Sequence, residues 1–111
     1  MKNSDIKIKK YGRTVLISID RPASLNAFTP STVDALNKAI DEFENDNELW
    51  TAVLTGVGEK SFCVGADLKW MASNPDAKRE DWNTHKGIWK KMTEKPIIAA
   101  VNGYCLGGGF E

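Results

Sequence analysis

The chain has 111 residues, one domain's worth, with room for a modest core. Lys plus Arg and Asp plus Glu each number 15, so the formal net charge is zero, and no basic stripe or acidic tail points to nucleic acid or an electrostatic partner. No apolar run approaches the roughly 20 residues of a membrane helix, and the first ten residues lack a signal-peptide core or an arginine-rich transit pattern, so a cytoplasmic, reducing compartment is expected.

Ile6-Lys7-Ile8-Lys9 alternates apolar and basic residues in the manner of a half-buried edge strand. Tyr11-Gly12-Arg13 supplies a turn, and Thr14 to Asp20 reads as a second, more buried strand with Val15, Ile17 and Ile19 on one face. An antiparallel hairpin is the economical arrangement. Pro22 ends the ladder and opens a loop. Thr29 is a suitable N-cap with Pro30 at the first helical position, and Val33, Leu36, Ile40 and Phe43 follow at helical spacing. Asn45-Asp46-Asn47 stops that helix, and Thr51 to Thr55 is a short β-branched strand ending at Gly56. Hairpin, helix and strand together imply an α/β fold with a crossover.

Gly56-Val57-Gly58-Glu59-Lys60-Ser61 is not a phosphate loop, because Glu59 stands where a Walker loop needs Gly and Ser61 where a dinucleotide fingerprint needs its third Gly. It reads as a surface turn, followed by the extended Ser61-Phe62-Cys63-Val64. Gly65-Ala66-Asp67 is side-chain-poor backbone opening onto a helix start at Asp67, and Asn74-Pro75 breaks that helix. A second amphipathic helix is expected from about Arg79 to Met92, with Trp82, Trp89 and Met92 on one stripe and Ile88 beside it, a pattern of core packing more than of a binding box. Cys63 and Cys105 have no metal-ligand spacing and read as free thiols, with a single disulfide as the alternative. No metal site is expected. His85, the only histidine, reads as structural or solvated.

Lys95-Pro96 stops the helix, and Ile97 to Val101 reads as a buried strand. Asn102-Gly103 then turns the chain, and Gly107-Gly108-Gly109 brings it to Phe110-Glu111. Three consecutive glycines carry a large ordering entropy in a helix or strand, so the run suits bare amides at a helix start, where N–H groups face an anion. A tight packing turn with Glu111 as a first-turn acid is the equal alternative.

Four blocks in order resemble the crotonase (enoyl-CoA hydratase/isomerase) superfamily: Arg21-Pro22 with Leu25-Asn26-Ala27; Thr55-Gly56 with Gly58; Phe62 with Gly65-Ala66-Asp67-Leu68; and Ala99-Ala100-Val101-Asn102-Gly103 through Glu111. The resemblance implies a crotonase-like α/β spiral of repeated ββα units, assembled as trimers or dimers of trimers and binding acyl-CoA thioesters, with no cofactor because coenzyme A is part of the substrate. It implies that the N–H groups of Ala66 and Gly108 converge on the thioester oxygen. Glu111 matches the first of two glutamates around a catalytic water. Ala23, Ser24 and Leu25 resemble the segment whose backbone meets the CoA adenine, and Ala66, Asp67, Leu68 and Lys69 the stretch along nucleotide and pantetheine. Trp70 and Met71 border the acyl pocket or simply pack.

The resemblance covers nearly the whole chain but only the N-terminal part of the family's domain, here residues 1–111. The family's second glutamate, the rest of the spiral and the C-terminal helices would follow Glu111, so a truncated enzyme is expected. Three readings follow: an enoyl-CoA hydratase-type lyase; another crotonase reaction such as isomerisation, hydroxyacyl- or carnitinyl-CoA dehydration, thioester hydrolysis or dehalogenation; or a CoA-thioester binding fragment without turnover.

Overall fold

The computed structural model describes residues 5–82, 87–90 and 93–111; His85 and Met92 lie outside them. Strands β1 (Ile6–Tyr11) and β2 (Thr14–Ile19) form the expected antiparallel hairpin, joined by Gly12 and Arg13 with Gly12 at φ +60°. Val15, Ile17 and Ile19 are buried, whereas β1 buries only Ile6 and leaves Ile8 exposed. The lysines of β1 therefore face water along an edge strand, where charge discourages further pairing.

Helix α1 (Pro30–Asn45) begins as its residue types demand. Thr29 accepts from the Thr32 amide, the Thr32 hydroxyl accepts from the Thr29 amide, and Pro30 occupies a position whose N–H would have no partner. Its buried stripe holds Val33, Leu36, Ile40 and Phe43 together with Thr32 and Ala39. Each large apolar side chain in that stripe contributes about 1.5–3 kcal/mol of burial. The crossover returns the chain to β3 (Thr51–Gly56), which pairs parallel to β2. Strand β5 (Ile97–Ala99) adds parallel to β3, giving the order β1-β2-β3-β5. Lys95 fastens this return: its Nζ donates to the carbonyls of Phe43 and Asp46, both at 2.8 Å, at the carbonyl end of α1, where a cation is favoured.

A second, two-stranded parallel sheet pairs β4 (Ser61–Cys63) with β6 (Tyr104–Cys105). Helix α2 (Leu68–Ser73) follows β4, capped by Asp67 and ended at Asn74. The order is thus ββα, ββα, ββ, an α/β arrangement as expected.

Three expectations need correction. The described parts of the expected Arg79 to Met92 helix are 3₁₀ rather than α-helical, at Arg79–Trp82 and Gly87–Trp89. Gly87 falls within that stretch and weakens a helix interior, and the Asp81 carboxylate turns back to accept from the Lys78 amide. The packing role of the stripe holds, since Trp82, Ile88 and Trp89 lie against the core. Strand β5 is half exposed rather than buried, with Ile98 at 55% exposure, because it ends the sheet order and has a described neighbour on one side only. The stretch after Asn102-Gly103 also forms β6 before the glycines are reached.

Candidate active site

Two side-chain-poor loops meet at the end of the β4–β6 pair. The first, 64–67, leaves β4 and is locked beside Phe28 by a parallel bridge: the Phe28 amide donates to the Gly65 carbonyl and the Asp67 amide to the Phe28 carbonyl, both at 2.9 Å. The second, 106–109, leaves β6 and closes a 3₁₀ turn over Gly107–Gly109, with Gly107 in the left-handed region at φ +54°. The amides of Phe110 and Glu111 both return to the Gly107 carbonyl, so a helical turn starts there. A Cβ built on Gly65 would stand 3.1 Å from the Gly108 nitrogen, so the two loops are in contact.

Several amides of these loops are unspent among the described residues, those of Ala66 and Gly108 among them. Amides of this kind, held by the bonds their neighbours make, are preorganised for an anionic oxygen. The carbonyl side of the second loop is held as well: Trp89 Nε1–H donates to the Gly108 carbonyl at 3.1 Å. The Trp89 ring packs on Phe28 with centroids 5.3 Å apart, and Phe28 meets Trp82 edge-on at 6.0 Å. Trp82 in turn meets Trp70 edge-on at 5.2 Å, so Trp70 joins an aromatic run reaching from α2 to the glycine turn.

Gly108 stands against the edge of the Phe28 ring. A Cβ there would lie 2.6 Å from Cζ of Phe28. The same position is 3.8 Å from Oε1 of Glu111, which places that carboxylate beside the turn. Glu111 and Gly108 also line an open cavity of about 920 Å³ whose other walls include Leu36, Leu54, Trp89 and Ile97. Ala23, Ser24, Leu25, Ala66, Asp67, Leu68 and Lys69 are not among its described lining residues. Met71 is 44% exposed and lies outside it too.

Ala23 and Ser24 sit in a 3₁₀ turn, with Leu25 just after it at φ 55°. Leu68 and Lys69 are exposed on the first turn of α2. Asp67 is buried and engaged: its carboxylate accepts from the Trp70 amide at 3.0 Å and from Arg21 at 2.9 Å. These bonds, led by the Trp70 amide and followed by Arg21, hold its pKa below the ordinary carboxylate value. Arg21 also donates to the Ala27 carbonyl, so the 22–27 turn and the 64–67 loop are joined through one guanidinium.

Residues read only as turn or motif positions prove to be tethers. Asn26, fully buried at φ 58°, accepts from the Arg21 amide and donates to the carbonyls of Val57 and Ser61. Asn102 donates to the carbonyls of Gly56 and Gly58, both at 2.7 Å, and so fixes the approach of the glycine run. The available signal was an Asn beside each turn, a residue that tolerates φ > 0 and carries both donor and acceptor. No group of three or more His, Cys, Asp or Glu placed to hold a metal occurs among the described residues, nor does a helix long and apolar enough to cross a membrane.

Comparison with known proteins agrees with this architecture. The profile of the family described as enoyl-CoA hydratase/isomerase matches residues 9–111. The chain is 39% identical over 122 aligned positions to a short-chain-enoyl-CoA hydratase of Clostridium acetobutylicum, covering 100% of this chain and 44% of the relative. It is 40% identical over 114 positions to a carnitinyl-CoA dehydratase of Salmonella enteritidis, covering 98% of this chain and 42% of that protein. Among solved structures, a carnitinyl-CoA dehydratase from Mycobacterium avium superposes with a TM-score of 0.84 at 36% identity, over 96% of this chain and 43% of the other. The chain thus spans less than half the length of these relatives, and its succession of ββα units is the crotonase fold.

Proposed function

The chain belongs to the enoyl-CoA hydratase/isomerase family, and on that footing we propose that it serves a hydratase-type lyase adding water across the 2,3 double bond of an acyl-CoA thioester. The observation that supports this most is the contact between two loops whose Ala66 and Gly108 amides are unspent, with the Glu111 carboxylate beside them. When water adds at the β-carbon, negative charge moves through the enoyl system onto the thioester oxygen. Two fixed amides stabilise that enolate more than the ground-state carbonyl, and losing one such donor commonly costs about 2.7–4 kcal/mol of barrier. Glu111 takes the proton from the attacking water, or returns one to the α-carbon, and help of this kind is worth about 10²–10⁴ in rate. Coenzyme A enters as part of the substrate, along residues 23–25 and the 66–69 segment.

Dehydration of a hydroxyacyl-CoA is the second reading, favoured by the carnitinyl-CoA dehydratase relatives. It is the same chemistry run backwards and uses the same groups. Hydration of a short 2-enoyl-CoA, followed by loss of its conjugated absorbance, tests the proposal; the Glu111→Gln variant should lose about 10²–10⁴ in kcat. Turnover unchanged by that substitution would reject Glu111 as the acid/base. Product analysis with a hydroxyacyl-CoA separates the two directions.

A further inference from the structure

We propose that Cys63 and Cys105 form an oxidisable dithiol, closing to a disulfide between β4 and β6 in the presence of a peroxide. The two residues are direct register partners in neighbouring parallel strands. Parallel strands lie about 4.8 Å apart, inside the Cα separation of about 4.4–6.8 Å that a disulfide spans. Register partners in a parallel pair present their side chains to the same face, and here both line the same cavity. Both are free thiols.

The hydrogen bonds of the two sulfurs give the site its interest. Cys63 Sγ accepts from the Gly65 amide at 3.4 Å, and the Cys105 thiol donates to the Gly109 carbonyl at 3.6 Å. Each thiol is thus seated against one of the two loops that meet over the candidate site. Gly109 has no room for a side chain because Cys63 lies directly against it.

Exposure assigns the order of events. Cys105 is half buried and Cys63 is 2% exposed, so Cys105 meets the oxidant first. Its thiolate attacks one peroxide oxygen, the O–O bond breaks, and the products are a Cys105 sulfenic acid and one water. The Cys63 sulfur then attacks the sulfenic sulfur, forms the S–S bond and releases the second water. The two thiols lose two electrons and two protons; the peroxide becomes two waters. Burial pushes the Cys63 thiol pKa up, which disfavours its thiolate and leaves the first attack on peroxide to Cys105.

The experiment treats the chain with hydrogen peroxide, quenches it, and maps peptides by mass spectrometry before and after dithiothreitol. The expected result is a monomer lighter by two hydrogens, one cross-linked peptide joining Cys63 to Cys105, loss of both free thiols to alkylation, and full recovery on reduction. Cys63→Ser should instead accumulate a sulfenic acid at Cys105 that a dimedone-type probe traps. Free thiols at both positions after a treatment that oxidises glutathione, or only inter-chain dimers, or only overoxidised Cys105, would each overturn the proposal. An accompanying reversible loss of thioester turnover rests on the reaction proposed above. An absence of turnover in the reduced protein counts against that reaction alone, because the cross-link is read from the peptide map.

Discussion

Arg21 and Asp67 form a 2.9 Å ion pair that joins the turn after β2 to the cap of α2. Their side chains are 21% and 9% exposed, so the pair is largely withdrawn from solvent. Removing one partner from such a pair costs more when the remaining charge is left buried. Asp67→Asn should therefore destabilise the chain by about 2 kcal/mol, since Arg21 still has Asp5 at 3.7 Å. Arg21→Met should cost about 3 kcal/mol or more, because the Asp67 carboxylate stays buried. Urea midpoints decide; a smaller loss for Arg21→Met than for Asp67→Asn would contradict this account of the pair.

The same carboxylate makes stability depend on acid. Its folded pKa lies below the ordinary 3.8, chiefly through the Trp70 amide and then Arg21. A depressed folded pKa means that the stabilisation is fully present above 3.8 and drains away as pH falls below that value through the folded pKa. Asp67→Asn should flatten this acid limb relative to the parent chain. Parallel unfolding curves for the two proteins from neutral pH down to strong acid would remove Asp67 as a source of the dependence.

Gly108 and Phe28 are coupled sterically. Gly108→Ala should cost about 1–3 kcal/mol, because the added methyl meets the Phe28 ring edge 2.6 Å away. Shortening the partner with Phe28→Leu should remove most of that penalty in the double variant, although Phe28→Leu alone is itself destabilising. A double-mutant cycle reads the coupling directly. Strict additivity would mean that the loop relaxes away from the ring and that glycine at 108 has another cause.

Trp89 holds the glycine turn by its indole N–H, which donates to the Gly108 carbonyl. Trp89→Phe keeps a ring against Phe28 and deletes the bond to the Gly108 carbonyl. One neutral hydrogen bond is worth about 1 kcal/mol, or about five-fold if expressed in the barrier. The expected signature is a kcat reduced by about that factor with KM nearly unchanged. A change confined to KM would assign Trp89 to substrate binding instead.

Local physics wrote much of the fold legibly. Thr29 before Pro30 starts α1, Val33, Leu36, Ile40 and Phe43 mark its buried face, and Asp67 caps α2, because each signal depends on residues within about two helical turns. The bare backbone at Gly65-Ala66 and Gly107-Gly108-Gly109 was equally plain. Their meeting was not, since it depends on β4 pairing with β6 across some forty residues of intervening chain. Spacing marked Trp82, Ile88 and Trp89 as packing residues. It could not tell a long helix from two 3₁₀ turns, because contact with Phe28 draws the tryptophans inward whichever backbone carries them. Glycine at 108 has its reason in Phe28, eighty positions earlier, and Asn26 and Asn102 hold loops that their own neighbours never mention. What the sequence alone determined is where elements begin, end and turn a greasy face, because those choices are made within a few bonds. What only the tertiary structure decided is which bare-backbone loops meet, because that depends on distant backbones arriving at the same place.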